Sequence, residues 1–304
     1  MQVLRSLDGT EIRDHLTLTP GVHPCSLAGA DGVLREYLIS MPTCAPSEVT
    51  ILFHPFGFTP ESVVFGEPAG ELLIRPLAGF AAPASEAGVV VIAPRALGRI
   101  LEGVSLAWAP HIDSAWEFAV ALAHELGELP VSAGGLSMGG LEALVLAGRH
   151  PEVSAVWAAN PIVDLVLWHD DIASGRTSPT LLETSAHHQI EEEVGGTPSA
   201  CPGDYAARSP LSYVETLAGT RVRLVWSPAD TIIPGQREQH AHRLAEGLRE
   251  TGGSVSEEIV TFHPLASDDE AGRFAHEACD VGSAVSWLRA QTSDVAARSN
   301  RGGE

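Results

Sequence analysis

The stretch Gly135-Leu136-Ser137-Met138-Gly139 separates an apolar run at residues 129–133 from a helix-like run at residues 141–148. The first run predicts a buried strand and the second predicts a helix. A serine on a sharp strand-to-helix turn, with a glycine two residues to either side, is the pattern of a nucleophile elbow. A Cβ atom at either glycine would collide with the neighbouring strand or helix. Ser137 is therefore the candidate nucleophile, and Met138 follows it at the start of the helix.

This pattern needs support from the rest of the chain, because 30 of the 304 residues are glycine and a chance match is not rare. The position of the motif between a predicted strand and a predicted helix is one support. A further glycine, Gly140, would let that helix pack closely on the sheet. An acidic residue and a histidine also follow downstream in the order Ser, Asp, His that such a site requires.

The composition indicates one globular domain over residues 1–304, because 44% of the residues are apolar and the mean hydropathy is +0.10. A net charge of −21 disfavours nucleic acids, anionic membrane surfaces and strongly anionic substrates as partners. No apolar run is long enough to span a bilayer, and residues 1–15 lack the apolar core of a signal peptide. We expect a cytoplasmic protein. The polar segment 292–304 is expected to be a disordered tail.

The four cysteines are scattered and form no C-x-x-C pair, so we expect free thiols rather than a metal or redox site. No spacing of histidines with carboxylates resembles a metal site either, since His187 and His188 are adjacent and would point in different directions on a helix. No cofactor is expected.

Buried strands alternate with helices along most of the chain. Strands are predicted at residues 34–39, 49–53, 89–92, 131–133, 153–158, 222–226 and 255–262, whereas residues 1–34 are mixed. Helices are predicted near residues 112–126, 236–248 and 277–289. This alternation predicts an α/β fold with a mostly parallel central sheet and helices on both faces. Residues 162–213 lack a clear strand, and we interpret them as a cap inserted over the carboxyl edge of the sheet; the alternative is an ordinary pair of surface helices.

The elbow, the alternation and the Ser, Asp, His order together resemble the α/β-hydrolase superfamily over residues 34–290. Residues 194–198, 205, 208–211, 225 and 230 look like the catalytic domain of the prolyl oligopeptidase family and related serine esterases. Residues 137–140 and 230–234 are similar to cutinase-like polyester hydrolases. The resemblance implies an α/β-hydrolase fold with a Ser-His-Asp catalytic triad.

Asp230 follows the predicted strand 222–226, in the loop where this superfamily places its triad acid; the alternative is a solvated turn aspartate. Two histidines compete for the base. His276 lies just before the last predicted helix, as the family histidine does, whereas His263 directly follows the last predicted strand. We favour His276, although the Gly-His pair usual in the family is absent here.

The oxyanion hole of such a site needs two backbone N–H donors. Met138 is expected to supply one, and the loop at residues 54–60 is expected to supply the other. Pro55 has no N–H, so the donor is Phe56 or Phe58, and the sequence leaves both open. His54 is expected to brace this loop through hydrogen bonds.

Large apolar side chains near the elbow are the candidates for lining an acyl pocket, each with core packing as its alternative: Phe56, Phe58, Trp108 and Trp168. An apolar pocket favours neutral substrates.

These residues predict a serine hydrolase that cleaves carboxylic esters through an acyl-enzyme intermediate. Three alternatives stay open at this point: a small-peptide or amide hydrolase of the prolyl oligopeptidase type, a cofactor-free acyltransferase or perhydrolase, and a non-catalytic ligand-binding module with the same fold. The partner in each case is a small molecule, an ester or amide for the hydrolases. The sequence identifies neither the physiological substrate nor the oligomeric state.

Overall fold

The structure is a computed structural model that describes residues 5–6, 19–29, 31–66, 79–178, 185–261, 275–276 and 279–299. The strands are β1 (Arg5–Ser6), β2 (Gly21–Ala28), β3 (Leu34–Met41), β4 (Glu48–Phe53), β5 (Val89–Pro94), β6 (Val131–Leu136), β7 (Ala155–Ala159), β8 (Arg221–Trp226) and β9 (Val255–Ile259). The helices are α1 (Pro60–Phe65), α2 (Ala81–Ala87), α3 (Ala109–Glu125), α4 (Met138–Arg149), α5 (Leu165–Ala173), α6 (Ala186–Val194), α7 (Pro202–Ala207), α8 (Val214–Leu217), α9 (Ala241–Glu250) and α10 (Val281–Ser299), with a 3₁₀ helix at Pro210–Tyr213.

Within the described residues the strands form one nine-stranded sheet in the order β1-β2-β3-β5-β4-β6-β7-β8-β9. The three strands at one side, β1 to β3, pair antiparallel, and β3 also pairs antiparallel with β5. All pairings from β5 through β4, β6, β7 and β8 to β9 are parallel. The predicted mostly parallel sheet is therefore confirmed, and the carboxyl ends of β4 to β8 meet along one edge.

Helices cover both faces of this sheet, as the sequence predicts. Apolar residues of α3, α4 and α9 pack into one core cluster, and those of α1, α2 and α10 pack into a second. Because both faces are covered, every residue of β4, β5 and β6 is buried, which explains their continuous apolar sequences. The central helix α4 is buried from Met138 to Gly148, so the residue before it is held on a rigid support.

The segment between β7 and β8 contains α5 to α8 and no strand among its described residues. Residues 162–213 of this segment, predicted to form a cap, carry α5 to α7 and the 3₁₀ helix; residues 179–184 lie outside the described ranges. Helix α10 continues past Thr292 to Ser299, into the predicted tail 292–304, and residues 300–304 lie outside the described ranges. None of the four cysteines, all of which lie within the described residues, forms a disulfide. None of the described helices is long and apolar enough to cross a membrane.

Candidate active site

Ser137 lies between the end of β6 and the first residue of α4, with backbone angles φ 60° and ψ −120°. This strained conformation is the one expected for an elbow, and it costs of order 1–3 kcal/mol unless the surroundings hold it. A Cβ at Gly135 would overlap the backbone of Gly139, and a Cβ at Gly139 would overlap the backbone of Phe53. The two glycines therefore permit the tight turn and its packing on β4, as the sequence analysis predicts.

Asp230 and His276 meet at the same edge of the sheet. His276 Nδ1 lies 2.8 Å from Asp230 Oδ2, and both side chains are buried. The backbone amide of Ser137 donates to Ala159 O on β7, and the next residue, Asn160, donates to the carbonyl of His276. The structure thus gathers the three residues proposed as nucleophile, base and acid around the end of β7. His263, the alternative base, lies outside the described residues.

The Ser137 hydroxyl makes no hydrogen bond to His276 or to any other described residue. Bonds between a catalytic hydroxyl and its base are often long without substrate and tighten in the reacting complex. Ser137 is nevertheless only 4% exposed, so little of its surface is open to a substrate carbonyl.

The carboxylate of Asp230 is held by its own loop. Its Oδ1 atom accepts hydrogen bonds from the amides of Ile232 at 2.8 Å and Ile233 at 3.0 Å. This leaves Oδ2 for the imidazole of His276, with Gln236 Nε2 at 3.5 Å as a weak second partner. The orientation of the carboxylate is therefore fixed by two backbone donors, which is what a triad acid requires to hold the imidazole in one tautomer.

The insertion also contacts the loop that carries Asp230, residues 227–234 after β8, which we call the acid loop. The indole N–H of Trp168 donates to Ile232 O at 3.1 Å, and the hydroxyl of Thr177 lies 2.9 Å from the same oxygen and 3.1 Å from Thr231 O. Trp168 is only 1% exposed and packs in the core. Its large buried surface and its hydrogen bond therefore position the acid loop, which is the core-packing alternative to the predicted substrate contact.

The loop after β4 separates the two candidate oxyanion donors. The amide of Phe58 donates to Pro55 O at 3.1 Å, and its ring is buried in the core cluster that contains α1 and α2. The amides of Phe56 and Met138 donate to no described residue. Phe56 is half-buried, and its ring meets the edge of Trp168 with centroids 6.5 Å apart. The free amide favours Phe56 over Phe58 as the second donor.

His54 braces this loop, as the sequence predicts. Its Nδ1 lies 2.9 Å from Pro55 O, and its Nε2 accepts from the amide of Ala96 at 3.0 Å. Burial lowers the pKa of His54 to about 4, so the ring is neutral at pH 7. Because Nε2 accepts, the proton must be on Nδ1, which donates to Pro55 O. Both ring nitrogens are therefore occupied, and neither is free for proton transfer.

Trp108, the fourth predicted pocket residue, is half-buried and directly precedes α3. The two residues before it, Leu106 and Ala107, have left-handed backbones with φ 45° and 56° and are buried. Such a conformation is unfavourable for residues with a Cβ. Buried polar groups hold it: Arg208 donates to the carbonyls of Ser105 and Leu106. The position of Trp108 therefore depends on a side chain of the insertion.

Arg208 also forms a buried ion pair with Glu193, at 3.2 Å. The Glu193 carboxylate accepts from the amides of Arg99 at 2.7 Å and Ile100 at 3.0 Å. Removing either partner of such a pair would leave an uncompensated buried charge. The Arg208–Glu193 pair therefore ties α6 and the residue after α7 to the loop between β5 and α3. The sequence analysis did not predict this contact.

Glu142, on α4, is a buried acid that the sequence analysis missed. Its Oε1 accepts from the Ser105 hydroxyl, and its Oε2 has no partner among the described residues. Burial raises the pKa of Glu142 to about 8, against the opposing effect of the Ser105 hydroxyl, the Ala107 amide and Arg208. The side chain is therefore mostly protonated at pH 7 and carries little charge beside the loop that leads to Trp108.

We expect Glu142→Gln to remove a pH dependence of stability. Between the unfolded-state pKa near 4.5 and the folded value of about 8, the unfolded chain has released the proton that the native protein keeps, so native stability falls as pH rises. The loss approaches about 1.4 kcal/mol per pH unit. Urea unfolding at about pH 5.5 and 7.5 should show the wild type losing roughly 2–3 kcal/mol relative to the variant. Glu86→Gln, the same change at an exposed site, is the control; a constant difference between wild type and Glu142→Gln would contradict the buried protonated acid.

Within the described residues, no three His, Cys, Asp or Glu side chains gather into a group that could hold a metal ion. The polar groups at the site are instead the hydroxyl, imidazole, carboxylate and free amides described above. Together they can supply a nucleophile, a general base and hydrogen-bond donors to a developing negative charge. Acyl transfer requires these three kinds of group.

No protein-family model matches the sequence, and the search of curated proteins finds no match. Solved structures do match. An S-formylglutathione hydrolase from Agrobacterium tumefaciens aligns with a TM-score of 0.58 and 17% identity, over 90% of this chain and 97% of that one. A thermostable carboxyl esterase from Bacillus coagulans aligns with a TM-score of 0.59 and 14% identity, over 90% of this chain and 100% of that one.

An acylaminoacyl peptidase from Pyrococcus horikoshii aligns with a TM-score of 0.58 and 14% identity, over 88% of this chain but only 42% of that one. The chain has an α/β-hydrolase fold. The fold predicted from the sequence is thereby confirmed. In this fold the elbow follows β6, the loop that carries Asp230 follows β8, and the insertion lies between β7 and β8. At these identities the similarity extends to the fold alone.

Proposed function

We propose that the protein is a serine hydrolase that cleaves carboxylic esters. One observation carries the proposal: Ser137 stands on a strained elbow at the same sheet edge where His276 is hydrogen-bonded to the buried carboxylate of Asp230. A strained backbone at a serine whose side chain makes no hydrogen bond to a described residue supports this proposal, because strain of this kind clusters at active sites.

The reaction proceeds through two acyl transfers. Ser137 Oγ attacks the ester carbonyl carbon while His276 Nε2 takes the hydroxyl proton, and Asp230 stabilises the resulting imidazolium. The negative charge that forms on the carbonyl oxygen is stabilised by the amides of Met138 and Phe56. The intermediate then expels the alcohol, which receives the proton from His276. Water, deprotonated by the same imidazole, then attacks the acyl-enzyme. The second tetrahedral intermediate expels Ser137 Oγ, which takes the proton back from His276, and the carboxylic acid is released.

The structural neighbours include peptidases as well as esterases, so a peptide or amide substrate is the second candidate. The two differ at the leaving group, because an amine must be protonated as it departs and an activated alcohol need not be. Comparing p-nitrophenyl butyrate with an aminoacyl p-nitroanilide under the same conditions separates them. A higher kcat/KM for the ester supports the first proposal, and a higher value for the anilide supports the second.

The direct test is labelling with a fluorophosphonate. Ser137 Oγ should displace fluoride from phosphorus and form a stable phosphonyl ester, which peptide mass spectrometry would locate at the elbow. Pre-treatment with the inhibitor should abolish ester hydrolysis in proportion to labelling. An intact protein that takes up no label, or takes it up at another serine, would remove Ser137 from the proposal.

A further inference from the structure

Asn160 follows the last residue of β7 and is completely buried. Its backbone has φ 39°, a left-handed conformation that asparagine tolerates better than most residues with a Cβ. Its amide donates to Val225 O on β8 at 2.7 Å. The chain therefore turns sharply at the sheet edge, and the turn directs the Asn160 side chain to groups that lie far away in the sequence.

The carboxamide of Asn160 is fully used. Its Nδ2 donates to two carbonyl oxygens, Ala275 O at 3.0 Å and His276 O at 2.7 Å. Its Oδ1 accepts from the amide of Ser227 at 2.9 Å. One side chain thus joins the segment that carries His276 to the beginning of the acid loop, because the Ser227 carbonyl in turn accepts from the amide of Asp230 at 3.3 Å.

Ala159, the residue before Asn160, links the end of β7 to Ser137. Ala159 O accepts the backbone amide of Ser137 at 2.9 Å. Two consecutive residues at the end of β7 therefore contact Ser137 and His276 directly and reach Asp230 through Ser227. Asp230 Oδ2 holds the ring of His276 at Nδ1, while Asn160 holds its backbone. Because the ring and the backbone of His276 are both held by hydrogen bonds, the position of its Nε2 atom is fixed.

We propose that Asn160 is a positioning residue for hydrolysis, acting through His276. This inference rests on the proposed function. Without the carboxamide, two buried carbonyl oxygens lose their donor, and the His276 segment is free to move relative to Ser137. Displacing a reacting group by about 1 Å costs on the order of 10²-fold in rate. We expect the loss to fall on kcat, because Asn160 is completely buried and its carboxamide is bonded to backbone groups of Ser227, Ala275 and His276.

The experiment compares two variants that remove the donor in different ways. Asn160→Gly empties the site and keeps the left-handed turn free of strain. Asn160→Asp fills the site and can still accept from Ser227, but it places an oxygen where the Nδ2 donor stood. Both should lower kcat for p-nitrophenyl butyrate by on the order of 10²-fold and leave KM within about twofold. Because the variants differ in packing, agreement between them assigns the effect to the lost donor.

Thr50→Val is the matched control. Thr50 is buried in β4, and its hydroxyl hydrogen-bonds Ser132 at 2.9 Å near the opposite end of the strands. This variant should lose stability in a thermal melt and keep its kcat. If both Asn160 variants retain kcat within about threefold of Thr50→Val, the positioning role is wrong.

A double-mutant cycle separates positioning from general loosening of the fold. In a His276→Ala background, Asn160→Gly should cause no further fall in the residual rate, because the group that it positions is gone. An undiminished further loss would overturn the inference. Failure of the proposed function itself looks different, since the wild-type protein would then hydrolyse no ester and take up no fluorophosphonate.

Discussion

Ser137→Ala should reduce kcat for p-nitrophenyl butyrate by on the order of 10⁴–10⁶-fold. In the proposed mechanism the hydroxyl forms the acyl-enzyme bond, so its loss removes the covalent route altogether. Residual hydrolysis above the rate in water is expected, because the Met138 and Phe56 amides can still stabilise the oxyanion when water attacks directly. Steady-state kinetics on freshly purified variant, with active-site titration to exclude traces of wild type, measures the loss.

Ser154→Ala is the appropriate control for this change. The Ser154 hydroxyl donates to Val131 O at 2.8 Å, at the end of β6 opposite the elbow. Both variants lose one hydroxyl, but only Ser137→Ala should lose activity. Circular dichroism melts would show that both remain folded. Turnover by folded Ser137→Ala at the wild-type rate would mean that another group carries the reaction.

The elbow could be predicted because its requirements are local. The positions of Gly135 and Gly139 are dictated by contacts within one turn and by the adjacent strand β4, and a five-residue pattern contains that information. The same holds for the parallel core, where burial on both faces imposes continuous apolar runs on the strands. Asp230 could be located because its strand and the loop after it were both recognisable.

Strand β2 shows where local patterns fail. The sequence before residue 34 appears mixed, yet Gly21–Ala28 pairs along its whole length with β3. Pro24 lies in the middle of it and lacks the N–H that a ladder requires, so a sequence argument rejects a strand there. The described residues of β1 pair only with Cys25 and Ser26. Among the described residues, Pro24 therefore has no β1 residue opposite it that would need its N–H. Tertiary pairing, invisible in the sequence, decides this element.

The supporting residues of the site could not be predicted for a related reason. Asn160 is separated by 115 and 116 residues from the two carbonyls that it binds, and Trp168 by 64 residues from the acid-loop oxygen that it contacts. No spacing rule connects such pairs. Asn160 signals only the end of a strand in the sequence, and Trp168 suggests a pocket as readily as a core. Such roles follow from the chain's path, which only the structure supplies.

Asp230→Asn should lower kcat by about 10⁴-fold, the loss that follows when a triad histidine is held in the wrong tautomer. In this site the two backbone donors, Ile232 N and Ile233 N, require an oxygen at the Oδ1 position. The new amide must therefore place its NH₂ group at the Oδ2 position and donate to His276 Nδ1. The imidazole then carries its proton on Nε2, and an Nε2–H cannot accept a proton from Ser137.

Because the folded loop itself enforces this orientation, the loss should occur without a large change in stability or in KM. Asp170→Asn is the matched control: Asp170 Oδ1 lies 3.1 Å from His169 Nδ1, but the Asp170 side chain is more than half exposed. The same charge is removed beside a histidine, and kcat should remain within about twofold of the wild type. Equal losses in the two variants would indicate that general electrostatics are responsible. A loss confined to Asp230→Asn would tie the rate to the tautomer of His276, and therefore to that residue as the base.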